Sequence, residues 1–515
     1  MGAAPDWHLI HDGPGRWPVV DWWRIDIRSA CRRGDVKWAW ELGRHRHLVI
    51  LARAHHCEPD DPRWIETLGG HLRSWLVSNP LEMGIHWYSN LEVALRSLNW
   101  LQVLALTGKA LDPGLRADME HVLYHSGFHL AADLPYTLST MRNNHLLGDA
   151  LGLVALGTSF PHDGHARRWL GLGRQLFDWQ LRRHFRDDGS SVEDSLSYHR
   201  FVLEMLAALL LLREAPQARR RLAAGSELLA RLGAIEGPVP AYGDWDEGRV
   251  LASSGDPLDV GGTARLGLAL GGTAAVPEPW YEDFDEVAWY APPRPESGTA
   301  PTRYRNPWEQ RSEPAPRPKQ RRSTPVPEPG GFDVGAHIAR AGSGGFVCWL
   351  KAGAAPSHGH ADLTSVSLWR NGRWLTGDPG TGSYNGSIER RNYFRSSLAH
   401  NVLRLEGRDQ LVPHRAFRWQ QRAQGHLGAP LRLGELVVMW GGHDAYRTLD
   451  APRRVVRAAA LCPSGLSVID WVDGQPGVPY ALSIPLGPEI SWEQDQATLP
   501  DGDVIRVDIP VDSAR

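Results

Sequence analysis

The first 290 residues follow a helical period. Ile65, Leu68, Leu72, Trp75 and Leu76 recur at three- and four-residue spacing behind Asp61-Pro62, an N-cap followed by a first-turn proline, and the run stops at Asn79-Pro80. Leu91, Ala94, Leu95, Leu98, Leu101 and Leu104 continue it, and Asp112-Pro113 opens a further helix with Leu115, Met119, Val122 and Leu123. Trp169, Leu172, Leu176 and Trp179, then Val202, Leu203, Met205, Leu206 and Leu209, extend the pattern. Helices of ordinary length with short breaks predict repeated helical hairpins over 1–290. From 332 to 515 the period falls to two. Phe346–Leu350 is a short apolar run, and Leu363–Trp369 alternates up to Asn371-Gly372, a hairpin turn signal. Leu436–Trp440 and Leu466–Trp471 repeat the signal, which predicts an antiparallel β-sandwich. Between the two parts, 291–331 holds 11 prolines among charged and small residues and reads as a linker.

Composition narrows the function. With 42% hydrophobic and 22% charged residues, a sizeable core is expected rather than wholesale disorder. Lys plus Arg is 56 against 59 for Asp plus Glu, and without a basic excess no nucleic-acid partner is expected. No apolar run approaches the roughly 18–20 residues of a spanning helix, so no membrane partner is expected. The four cysteines, Cys31, Cys57, Cys348 and Cys462, form neither a zinc-ribbon spacing nor a disulfide framework. The chain holds 23 tryptophans, whose flat faces suit sugar rings, although a helical core accounts for most of them. The first residues lack the basic and apolar regions of a signal peptide. The expectation is therefore a periplasmic or secreted protein if a leader has been trimmed, and a cytoplasmic one otherwise.

Four clusters carry candidate chemistry. Arg142-Asn143-Asn144-His145 joins a guanidinium, amides and an imidazole at a helix start, where Asn143 also suits an N-cap. Tyr198-His199-Arg200 opens an apolar helix, and a tyrosine there can act as a general acid or base. His358-Gly-His360-Ala-Asp362, with Asp378 and His400 further on, offers a nitrogen and oxygen set suited to a divalent metal. Tyr384 and the run Arg390–Arg395 suit recognition of carboxylates or sulfates.

In this order the segments resemble the heparinase II/III-like polysaccharide lyases. The resemblance runs from Lys37-Trp-Ala-Trp-Glu-Leu-Gly-Arg-His45 through Gly84–Trp87, Glu92 and Arg96 to Asn143-Asn-His145 and Tyr198-His-Arg200. It continues through Tyr242-Gly-Asp-Trp-Asp246, His358–Asp362, Asp378-Pro-Gly380, Arg391–Arg395 and His400-Asn401. It implies a multidomain α+β chain, an N-terminal (α/α) toroid followed by a C-terminal antiparallel β-sandwich, with the site between them. The implied reaction is β-elimination at a uronic acid, whose C5 proton becomes acidic only once the neighbouring carboxylate is neutralised. The resemblance makes Asn144 the neutraliser, with His145 helping it or acting as base, and Tyr198 the acid; it leaves His145, His358 and Tyr384 as base candidates, or Tyr198 in both roles in a syn elimination. It makes His360, Asp378 and His400 ligands of a zinc or manganese ion. Trp87, Arg96, Arg142, Arg200, Trp245 and Arg395 are expected to touch substrate. The expected partner is an acidic polysaccharide: heparan sulfate or heparin, chondroitin sulfate or hyaluronan. An alginate or exopolysaccharide lyase, a uronate C5-epimerase and a non-catalytic glycan-binding protein are the competing expectations.

Overall fold

A computed structural model describes residues 4–27, 34–272 apart from 236, 254 and 257, 285–291, 333–334, and 337–506 apart from 354–357, 475–476, 488–489, 494–495 and 499–503. Most of the proline-rich stretch expected as a linker lies outside the described residues.

Eleven α-helices are described in the N-terminal part. They are α1 (Lys37–Gly43), α2 (Arg46–Cys57), α3 (Pro62–Ser78), α4 (Asn90–Thr107), α5 (Pro113–Thr140), α6 (Asn144–Ser159), α7 (Gly164–His184), α8 (Leu196–Leu212), α9 (Pro216–Arg231), α10 (Gly261–Gly271) and α11 (Asp285–Tyr290). Local chemistry sets their starts. Asp61 accepts from Arg63 N and Asp112 from Leu115 N, each with proline in the first turn. Asn143 caps α6 and Ser195 caps α8 in the same way. Helices α6 and α8 are apolar almost all round and form the centre of the helical core with α4. No described helix is long and apolar enough to cross a membrane.

The C-terminal part is antiparallel. Strands β1 (Asp333–Val334), β2 (Ile338–Ser343), β3 (Phe346–Lys351), β4 (Val366–Arg370) and β5 (Arg373–Thr376) form one sheet in sequence order. Asn371 and Gly372 both take positive φ at the β4–β5 turn, as the hairpin signal requires. After β6 (Leu403–Leu405), β7 (Pro413–Arg415) and β8 (Arg418–Trp419) comes a second sheet. It contains β9 (Gly425–Leu427), β10 (Leu431–Leu433), β11 (Leu436–His443), β12 (Val455–Cys462) and β13 (Gly465–Val472), with β9 paired to β11. The two sheets face each other over Ala341, Cys348, Leu350, Val437, Met439, Ala459 and Leu461.

Strand β3 fastens this sandwich to the helices. All six of its residues are buried, and the two-residue period divides them between two cores. Phe346, Cys348 and Leu350 enter the sandwich, whereas Val347 and Trp349 enter the helical core. The Trp349 indole donates to Leu232 O at 2.9 Å. Lys351, next on the helical face, is buried against both Asp362 oxygens at 2.6 Å. The continuous apolar run at 346–350 thus reflects burial on two sides, and it holds the seam where the candidate residues meet.

Candidate active site

The seam is organised around Tyr242-Gly-Asp-Trp-Asp246. Gly243 has φ +72, and a Cβ there would sit 2.6 Å from Asp194 O and 2.7 Å from His358 O, so only glycine lets the two backbones approach. The next residue, Asp244, is fully buried. Its N–H donates to His358 O at 2.8 Å, and its carbonyl accepts from Ser195 Oγ at 2.6 Å and Ser197 Oγ at 2.7 Å. Its carboxylate takes a two-armed bond from Arg391, whose Nη2 is 2.8 Å from Oδ2, and accepts from His358 Nδ1 at 2.8 Å and His360 Nε2 at 3.1 Å. Burial alone would raise its pKa. Arg391 and the two imidazoles outweigh burial and hold it well below the usual carboxylate range.

Tyr198, in the first turn of α8, stacks on the His358 ring with centroids 3.7 Å apart and planes 17° apart. The Phe417 ring lies 5.4 Å from His358 and 6.1 Å from Tyr384. The Arg391 guanidinium, from α12 (Ile388–Phe394), lies 5.2 Å from the Tyr384 ring centroid. The loop carrying Tyr384 is pinned by Asp35, which accepts from Tyr384 N and Asn385 N at 2.9 Å each. Burial, reinforced by Asp246, pushes both phenols well above the usual tyrosine range, so both hold their protons at neutral pH.

Asn144 and His145 begin α6. Glu193 accepts from Asn144 N at 3.0 Å and from its Nδ2 at 3.0 and 3.2 Å. One carboxylate thereby fixes the amide, leaving its second N–H for another acceptor. His145 is pushed down to about 4 by burial, with His358 and Arg44 adding to the fall and Glu193 opposing it, so the ring is neutral at pH 7. No hydrogen bond among the described residues joins Asn144 or His145 to Tyr198, His358 or Tyr384.

His360, Asp378 and His400 offer ligand atoms within 4.8 Å of one another. His400 Nδ1 lies 3.3 Å from Asp378 Oδ2. Apart from that ion pair, His360 Nδ1, Asp378 Oδ2 and both His400 nitrogens are buried with no hydrogen-bond partner among the described residues. Converging buried lone pairs of this kind call for a cation, and two nitrogens with one oxygen suit zinc or manganese. The residues fit a metal.

A cavity of about 1180 Å³ opens against Tyr384, walled by Lys37, Glu41, Trp245 and Asp246. A second, of about 620 Å³, touches Trp245, Trp374 and Asp378. Of the six expected substrate contacts, Trp245 reaches both cavities, and Arg142 is exposed at the start of α6 with Nε on Leu138 O. The other four are buried. Trp87 is fully enclosed in the helical core and Arg96 lies between the Trp75 and Trp87 rings, donating to His86 O. Arg200 donates to Asp246 O and Gly248 O, and Arg395 to Arg415 O and Ala416 O. Each of the three arginines donates to backbone carbonyls.

Two family models match the chain. The heparinase II/III N-terminus model covers residues 17–226, and the heparinase II/III-like C-terminal model covers 326–511. The chain belongs to the heparinase II/III-like family. A heparin-sulfate lyase of Bacteroides thetaiotaomicron is 23% identical over 215 residues, which is 38% of this chain and 29% of that relative. The chain thus matches less than a third of that protein's length. A crystal structure of a heparinase III is similar with a TM-score of 0.57 at 16% identity, covering 88% of this chain and 67% of the other. A heparan sulfate lyase mutant from Pedobacter heparinus gives 0.56 at 17%, covering 96% and 72%. These likenesses show the fold, a helical toroid followed by a β-sandwich. Within the heparinase II/III-like frame, sequence reasoning passed over Asp244, Arg391, Glu193 and Asp35. Asp244 and Arg391 stood inside quoted motifs, but nothing in the chain marked them as partners.

Proposed function

We propose that the chain is a polysaccharide lyase that cleaves uronic-acid-containing polysaccharides by β-elimination, with glycosaminoglycans as the first substrate class. The observation that carries the reading is the Tyr198–His358 stack at the seam, with Asn144 held by Glu193 at the start of α6. The name of the curated relative supports heparan sulfate or heparin ahead of chondroitin sulfate and hyaluronan.

In this reading the free N–H of Asn144 binds the uronate carboxylate and tolerates the charge that grows there as C5 loses its proton. His358 donates Nδ1–H to Asp244, so Nε2 is the basic atom and takes the C5 proton. The C5–H electrons form the C4–C5 double bond as the C4–O bond breaks, and the leaving oxygen takes its proton from the Tyr198 hydroxyl. One proton is gained and one lost, so transfer from imidazolium to phenolate restores both groups. His145 and Tyr384 stay neutral and border the reacting groups. His360, Asp378 and His400 would hold a divalent ion, zinc or manganese, whose charge would organise the sandwich side of the seam.

Incubation with heparan sulfate, heparin, chondroitin sulfate, hyaluronan and alginate, followed by ultraviolet absorbance, tests the proposal. A lyase produces an absorbing unsaturated uronate from at least one polymer. No rise from any polymer, with deuterium entering C5 from heavy water, would replace the lyase by an epimerase.

A further inference from the structure

The Asp244 carboxylate has about four lone-pair directions. Four donors fill them: two arms of Arg391, His358 Nδ1 and His360 Nε2. A carboxylate paired with a guanidinium has no proton to give, so each imidazole must present N–H to it. In a neutral ring the lone pair is then forced onto the opposite nitrogen. For His360 that atom is Nδ1, which is buried, unpartnered among the described residues, and part of the trio that fits a metal. For His358 it is Nε2, on the ring stacked under Tyr198.

We infer that Asp244 is a positioning residue that sets both tautomers at once, coupling the imidazole that serves catalysis to the imidazole that serves the metal. The His358 half rests on the function proposed above, and the His360 half stands without it. The two rings come from one loop and differ by two positions, yet they meet different oxygens of one side chain. A single carboxylate therefore prepares a base for substrate and a ligand for a cation, and neither can be lost alone when it is changed.

Asp244→Ala tests the coupling. Alanine removes both acceptor oxygens, so each imidazole loses the partner that fixes its tautomer. Removing such a partner of a metal-bound histidine weakens the metal by about 10–100-fold. Zinc and manganese affinities measured by chelator competition should fall by that factor, and kcat should fall by about 100-fold with KM nearly unchanged, the mark of an interaction used in the transition state. His360→Gln should lose the metal and keep the His358 tautomer. The wild-type protein supplies a readout that survives misfolding of the variant. Nitrogen-15 spectra of histidine-labelled protein at about pH 8, above the ordinary histidine range, should show Nδ1–H for His358 and Nε2–H for His360, assigned by His358→Gln and His360→Gln. Protonation on the opposite nitrogen of either ring overturns the inference, as does a folded Asp244→Ala protein with wild-type metal affinity. If no polymer is cleaved at all, the proposed function fails while the tautomer and affinity readings still decide the role of Asp244.

Discussion

Glu193→Gln isolates the residue that aims Asn144. Glu193 is buried and receives three contacts from Asn144, two at 3.0 Å and one at 3.2 Å. Hydrogen bonds to a charged acceptor contribute about 1.5–3 kcal/mol each, against about 1 for a neutral one. Glutamine keeps the shape and one acceptor oxygen. Its amide nitrogen, at the other position, sets N–H against the N–H of Asn144 across the 3.2 Å contact. The hold on the amide weakens by about 2 kcal/mol on that account, which corresponds to roughly 30-fold in rate if the amide acts only in the transition state. Initial rates over a range of substrate concentrations should show the loss in kcat, with KM changed little. Glu193→Ala should go further and also cost about 1–3 kcal/mol of stability in urea unfolding, because it leaves buried N–H groups without an acceptor. A Glu193→Gln enzyme with wild-type kcat, or a loss confined to KM, would refute the role given to Asn144.

Buried acid and buried imidazoles pull stability in opposite directions between about pH 4 and 7. Burial pushes Asp149 up to about 7 in the folded chain, against the partial help of Thr137 and Asn90, so the folded state binds more protons than the unfolded one between about pH 4 and 7 and stability declines as pH rises through that window. The limit is on the order of 4 kcal/mol, and in thermal melts Asp149→Asn should make stability rise more steeply with pH across that window than in the wild type; parallel profiles would refute it. Burial pushes His86 down to about 3 and His199 to about 4, so the stability these neutral rings contribute above about pH 6.5 is lost on acidification toward 4. Lys351→Met should cost about 3–5 kcal/mol by leaving the buried Asp362 carboxylate unpaired. Adding Asp362→Leu should recover most of it, and no recovery would show that the pair does more than neutralise itself.

The fold was legible because its signals are local. Asp61-Pro62, Asp112-Pro113 and Asn371-Gly372 each act within a few residues, and the structure uses all three as caps or a turn. The candidate residues could be named from the sequence, but not the network that joins them. Asp244 reaches partners 114, 116 and 147 positions away, and no short-range pattern reports such pairing. Arg391 and Arg395 stand one helical turn apart in one run; the first faces the seam and the second ties the β7–β8 hairpin. Trp87 and Arg96, expected as substrate contacts, pack on each other inside the helical core, a pairing across the chain that residue type alone does not report.

The stack of Tyr198 on His358 bears most of the proposed mechanism. The most direct measurement is ultraviolet absorbance over time with the responding polymer, comparing wild-type protein and Tyr198→Phe at equal concentration and equal circular dichroism. Phenylalanine keeps the stacked ring and removes only the proton donor. General acid catalysis is worth about 10²–10⁴-fold, and the account predicts a loss in that range with binding retained. A Tyr198→Phe protein that releases unsaturated uronate at the wild-type rate would contradict it.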